Sequence, residues 1–353
     1  MPQQPGARSG YDTANPTRNM SEPSFIDIQP TTINRISGGM WHGFALLAGA
    51  QLDLFTALSD RRMTVEEAAA ATRSAGAKLG PLMYALAEYG LLEESGGRFG
   101  NTAEAQAFLV RGAPGHMEIL SGFTSTMWRA ALEMADTVRN GKPRLKLDFV
   151  DGPPEQIEGF IRNLLPGALG AGKGLAERFD FSGRSAMVDV GGGSGGVAIA
   201  LTEAVPGMRG TVVDLPTIIS VTETVIREQG AEDRVAVIAG DAANGSFEGE
   251  YDLAVMKAIL QVLGPEEARR AVHNVAGALV PGGEVHIIGS ILDDTRRSPA
   301  QAVSFNLALI NLYDAGQSYT EAEHRAWLAD AGFAHITRVD EPGFTGIRAV
   351  KAG

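Results

Sequence analysis

Met187-Val188-Asp189-Val190-Gly191-Gly192-Gly193-Ser194-Gly195-Gly196 is the stretch that decides the fold class. The apolar run Ala186–Val190 suits a buried parallel strand. The glycines after it let the backbone turn tightly and approach a ligand. Residues 197–204 continue as an apolar, alanine-rich helix. Strand, glycine turn and helix together form the first unit of a nucleotide-type binding fold.

Glycines this dense fit several templates, G-x-G-x-x-G among them, so the surroundings must discriminate. The next strand, 210–215, reads G-T-V-V-D-L. Its Asp214 can accept hydrogen bonds from both ribose hydroxyls, about 20 residues beyond the glycines. A third strand, 235–240, is followed by Asp241, whose carboxylate can accept from an adenine amino group. A fourth, 251–258, carries D-L-A-V-M-K, and a fifth, E-V-H-I-I-G-S-I-L, follows Pro281-Gly282-Gly283. Strands near 334–340 and 346–351 close the chain after a helix over 320–331 that begins T-E-A-E. This alternation predicts a parallel α/β sheet with helices on both faces and ligands at the strands' carboxyl ends.

The ordered set V-D-V-G-G-G-S-G, T-V-V-D-L-P, A-G-D, Y-D-L-A-V-M-K and L-V-P-G-G resembles the S-adenosylmethionine-dependent O-methyltransferases of the plant caffeate and bacterial polyketide type. The resemblance runs through nearly the whole chain. It implies a homodimer, a helical N-terminal domain with a winged-helix element, and a Rossmann-like methyltransferase sheet of seven strands with the last antiparallel. By motif position it assigns Gly191 and Gly193 to the methionine end of S-adenosylmethionine. Asp214, with Leu215 after it, falls to the ribose. Asp241 and Ala242 fall to the adenine, with Lys257 beside it. An aromatic residue commonly follows the adenine aspartate in this family, and Ala242 departs from that.

The catalytic positions depart further. The family places a histidine base four residues after the lysine and orients it with two glutamates. Here those positions hold Gln261, Gly289 and Ser318. A glutamine has no pKa in the useful range and cannot serve as general base. Three readings follow. The enzyme methylates a carbon or an already acidic group by positioning, as the similar I-L-Q-V-L context of bacteriochlorophyll-type C-methyltransferases suggests. Alternatively another residue is the base, with His42, His116, His324 and Tyr313 as candidates. In the third, the fold is repurposed for non-methyl chemistry such as hydroxylation, decarboxylation or pericyclic reaction, or survives as an inactive ligand-binding regulator. Gln261, Tyr313 and His42 are the candidate catalytic residues. A nicotinamide dinucleotide is the alternative cofactor, since Asp214 suits either.

The chain of 353 residues divides into an arm at 1–25, a helical domain at 26–150 and a methyltransferase domain at 151–353. The arm is polar and rich in Pro, Gly and Ser, which predicts disorder. The apolar segment M-W-H-G-F-A-L-L, starting at Met40, predicts a helix buried in a core or against a partner subunit, with His42 inside it. Thr64 and Glu67 have capping-box spacing, 79–89 reads as a second helix, and 91–99 as a short hairpin. Helix, turn, helix and wing raise DNA binding, but Glu88, Glu93 and Glu94 stand where a DNA reader needs basic residues. The formal charge of −12 argues against nucleic acid or anionic membrane as a partner. There is no cysteine, hence no disulfide, thiolate metal site or cysteine nucleophile. No carboxylate/histidine cluster has metal-ligand spacing. The N-terminus lacks the apolar core of a signal peptide, so a cytoplasmic enzyme acting on a small molecule is expected.

Overall fold

The computed structural model describes residues 28–117, 123–245, 247, 249–341 and 343–353; the arm read at 1–25 lies outside them. Two compact units divide between Gln106 and Ala107. The first contains α1 (Thr31–Gln51), α2 (Leu54–Ala57), α3 (Val65–Thr72), α4 (Gly76–Glu88), β1 (Leu92–Ser95) and β2 (Arg98–Asn101), and α5 (Ala103–Phe108) spans the division. The expected capping box starts α3: Glu67 N donates to Thr64 Oγ1 (3.3 Å) and Thr64 N to Glu67 Oε2 (2.9 Å). β1 and β2 form the antiparallel wing, with Gly96 and Gly97 at positive φ in its turn. Phe99 of β2 is fully buried, edge-on to Tyr84 of α4. The helix α1 is not buried in the core of its own unit, which leaves the alternative of a partner subunit open. Ala45 and Gly49 are buried, but Ile33, Ile36, Met40, Trp41 and Phe44 stand exposed along it.

The second unit continues with α6 (Phe123–Leu132), α7 (Met134–Asn140), α8 (Pro154–Arg178), β3 (Ala186–Val190), α9 (Gly196–Ala204), β4 (Arg209–Asp214), α10 (Pro216–Glu228), β5 (Val235–Ala239) and β6 (Tyr251–Lys257). After a 3-10 turn (Leu260–Val262) come α11 (Pro265–Ala278), β7 (Leu279–Ile288), β8 (Ile291–Leu292), α12 (Ala300–Leu312), β9 (Tyr319–Thr320), α13 (Glu321–Asp330), β10 (Phe333–Glu341) and β11 (Phe344–Lys351). Residues 107–117 and 123–150, grouped with the helical domain in the sequence, belong to this unit: Thr137 donates to Asn311 (2.6 Å), and Leu147 N to Leu312 O (3.0 Å).

Seven strands form one sheet in the order β10-β11-β7-β6-β3-β4-β5. β3 to β7 pair in parallel, and β11 runs antiparallel to both of its neighbours. A buried apolar cluster lies on each face, as both-sided burial of apolar strands requires. From β3 the chain winds outward to β4 and β5, then returns to β6 and β7 on the other side. The order therefore reverses between β3 and β6, which opens a crevice beyond their carboxyl ends. Close packing of α8 on α9 sets the wall of that crevice. Only glycine suits the contact: a Cβ on Gly172 would lie 2.7 Å from Ala200 Cβ, and one on Gly196 2.7 Å from Ala168 Cβ. No helix of the described residues is long and apolar enough to cross a membrane.

Candidate functional site

The glycine turn leaves β3 at Gly191, φ +65°, where a Cβ would meet Ile259 Cδ1 at 2.8 Å. A side chain there is excluded both by conformation and by the loop after β6. Gly193, φ +54°, faces looser space toward Ile161 and Leu164 of α8. Asp214 ends β4 and is buried. Its Oδ2 accepts from Gly193 N (2.7 Å) and its Oδ1 from Leu215 N (2.8 Å), so one carboxylate fastens both loops. Burial pushes its pKa up while the two amides oppose the shift. Each oxygen keeps a further lone pair.

Beneath the turn, Asp189 is fully buried. Its Oδ2 accepts from Ala198 N (3.3 Å) and its Oδ1 has no partner among the described residues. Desolvation raises its pKa to about 7 against the pull of the Ala198 amide and the Lys257 charge. Ser194 Oγ is a second buried polar atom without a partner among the described residues. Orphaned groups of this kind call for a polar ligand or water. The open side of Gly193 leaves room for the amino-acid tail of S-adenosylmethionine.

Asp241 stands beyond β5. Its Oδ1 accepts from the amides of Ala243 (2.8 Å) and Asn244 (3.0 Å), and its Oδ2 from the Asn244 side chain (3.0 Å). Desolvation works against its ionisation, but these three donors prevail and hold its pKa below the usual carboxylate range. Ala242 is buried, with its carbonyl accepting from Asn274 Nδ2 (2.9 Å). Lys257 ends β6; burial lowers its pKa, and Asp189 is the charge that opposes this.

Lys257 and Gln261 line a groove of about 900 Å³ together with Gly170, Ser290, Phe305 and Phe344. Of the three positions read as catalytic departures, Gln261 and Gly289 line this groove, and Ser318 is buried against Ser290. Gln261 Oε1 accepts from Ser290 N (2.8 Å). A Cβ on Gly289 would fall 2.8 Å from that same oxygen. Ser318 Oγ and Ser290 Oγ share a hydrogen bond (2.7 Å). A backbone N–H only donates, so the side-chain atom facing it is the oxygen, and neither Nε2–H donor of Gln261 has a partner among the described residues. Ser290 was not legible as a site residue, because its contribution is a backbone amide.

The other candidates fall elsewhere. Tyr313 caps α12 beside Gly316, and burial pushes its phenol up to about 12, away from a base's range. His42, expected inside a buried helix, is exposed in the first unit and stacks on Tyr89 (4.0 Å between centroids). His324 is buried on α13, its Nδ1 2.8 Å from Thr320 O. His116 is part-buried, with its Nδ1 unpartnered among the described residues. On α12, Phe305 lines the groove while Leu309 and Leu312 are core.

Comparison with known proteins agrees with this frame. A model of the O-methyltransferase dimerisation domain matches residues 34–111, and one of the O-methyltransferase domain matches 167–334. The chain is similar to 3-hydroxy-5-methyl-1-naphthoate 3-O-methyltransferase of Streptomyces sahachiroi, 30% identical over 333 residues, covering 92% of this chain and 96% of that one. It is also similar to L-tyrosine C(3)-methyltransferase of Streptomyces lavendulae, 31% identical over 195 residues, 54% of this chain and 53% of that one. Human N-acetylserotonin methyltransferase in complex with SAM shares the fold at a TM-score of 0.80 and 22% identity, covering 95% of this chain and 99% of that one. Both family models match in chain order, and one relative aligns over almost its whole length; the chain therefore belongs to the O-methyltransferase family and is an S-adenosylmethionine-dependent methyltransferase.

Proposed function

We propose that this enzyme methylates a carbon, or a group that is already acidic, on a small, largely apolar, aromatic or conjugated metabolite, by positioning rather than with a histidine base. The observation that carries this reading is the fixed amide of Gln261. Its oxygen is held by Ser290 N, position 289 offers no side chain, and Ser318 is a neutral hydroxyl bonded to Ser290. None of these groups can take a proton near neutral pH. An acceptor whose nucleophile needs no deprotonation, or is acidic enough to lose its proton to water, suits such a site.

S-adenosylmethionine supplies an electrophilic sulfonium methyl when bound. The residues proposed to hold it are Gly191, Gly193, Asp214, Leu215, Asp241, Ala242 and Lys257. Gln261 presents an N–H donor to a carbonyl or phenolate oxygen of the acceptor. Hydrogen bonds to that oxygen fix the ring and steady the anion whose charge is shared with the adjacent carbon. The aromatic acceptors named for two relatives, one of them a carbon methylation, support the substrate class.

The test is incubation with methyl-labelled cofactor and a panel of hydroxynaphthoates and phenolic amino acids, with NMR of the product. Label on a ring carbon or a carboxyl-class oxygen is expected, with kcat/KM about 10–100-fold lower in Gln261→Ala. Label that never leaves a bound cofactor would sink the proposal.

We further propose a homodimer built on α1. The exposed Ile33, Ile36, Met40, Trp41 and Phe44 form one apolar strip within the matched dimerisation segment. An exposed strip of this kind is a protein-interaction surface.

A further inference from the structure

Beside Gln261 the structure holds a small, partly open cavity of about 10 Å³. That is roughly the space one water centre occupies. Its wall is mainly Met256, Leu260, Ile287 and Tyr319, and its polar side chains include Gln261, Ser290 and His324. The Tyr319 hydroxyl is committed to Leu263 O (2.7 Å), and Ser290 Oγ to Ser318 Oγ.

His324 is 3% exposed on α13. Its Nδ1 lies 2.8 Å from Thr320 O. A carbonyl only accepts, so Nδ1 carries the proton and Nε2 keeps a lone pair. That Nε2 makes no hydrogen bond to a described residue. Gln261, which also lines the cavity, has its oxygen fixed, and its N–H donors have no partner among the described residues. A donor and an acceptor thus border a space sized for one water, with Gly289 leaving room for it.

We propose that His324 is a positioning residue: a single water in this cavity accepts from Gln261 Nε2 and donates to His324 Nε2, locking the amide so that its second N–H points at the acceptor groove. This rests on the reading of Gln261 as the acceptor's hydrogen-bond donor. Burial lowers the pKa of His324, which keeps the ring neutral and the lone pair available.

Two measurements test it. The first is ¹⁵N-histidine NMR of the full-length protein saturated with S-adenosylhomocysteine, with the His324 signals assigned by His324→Asn. The relay requires an unprotonated, hydrogen-bonded Nε2 whose resonance moves in Gln261→Met, while the Nδ1 resonance stays put. A protonated Nε2, or one indifferent to Gln261→Met, overturns the relay.

The second uses any acceptor of the panel above that takes label. An asparagine keeps a donor for Thr320 O and loses the far nitrogen, whereas a glutamine keeps a polar atom at the cavity. His324→Asn should lower kcat about tenfold with the KM for S-adenosylmethionine unchanged, and His324→Gln should stay within about threefold. Equal losses in both variants, or a loss only in melting temperature, overturn the positioning role. If no acceptor takes label, the functional reading falls, while the NMR result still decides whether the water link exists.

Discussion

At the residue scale, two buried aspartates carry different duties. Asp214 joins the glycine turn to the start of α10 through two amides and is the proposed ribose anchor. Asp214→Asn keeps the shape and halves the acceptors. Its Kd for S-adenosylhomocysteine should rise about 10–100-fold by calorimetry, since hydrogen bonds to charged groups contribute about 1.5–3 kcal/mol. Unchanged affinity would remove Asp214 from the cofactor site. Asp189 has its pKa raised from 3.8 to about 7 by burial. A carboxyl raised in the folded state favours the native protein most below its unfolded pKa, about 3.9, and loses that advantage as pH climbs through the folded value. Asp189→Asn does not titrate. The melting temperature of the cofactor-free variant should therefore gain on the wild type between about pH 4 and 7, then hold level. Parallel melting curves across that range would show that Asp189 ionises as freely in the fold as outside it.

At the element scale, the turn after β3 and the start of α13 each depend on one residue. Gly191→Ala imposes an L side chain at φ +65° and a clash with Ile259. Strain of this sort costs about 1–3 kcal/mol, and it should appear as a lower melting temperature together with weaker cofactor binding. Thr320 caps α13 reciprocally with Glu323. Thr320→Ala should cost about 1 kcal/mol, or about 2–4 °C in melting temperature, by thermal scanning. Both elements were legible from local chemistry: a run of glycines after an apolar strand, and a threonine three residues before a glutamate. The fifth strand was less so. β7 begins at Leu279 and carries Pro281-Gly282-Gly283 within it, where the pairing with β6 shifts register from Tyr251/Leu279 to Leu253/Glu284. A turn signal was there absorbed as an irregularity within a longer strand.

At the scale of the whole molecule, the exposed strip on α1 carries the proposed assembly. Replacing Ile36 and Trp41 together by glutamate should convert a dimer to a monomer in size-exclusion light scattering, because charges cannot be buried there without partners. A wild type that runs as a monomer would end that proposal. The sequence by itself determined the alternation of strand and helix, the glycine turn, the strand-end acids and the family, since each is written in residues adjacent along the chain and obeys local rules of backbone and periodicity. Only the tertiary structure decided that Gln261 hangs from the Ser290 amide, that Asp189 is sealed from solvent, that burial raises the Tyr313 phenol and that His42 is exposed. Those outcomes depend on which distant segments the sheet order brings together, and solvation and hydrogen-bond partnership are properties of that packing rather than of any single stretch.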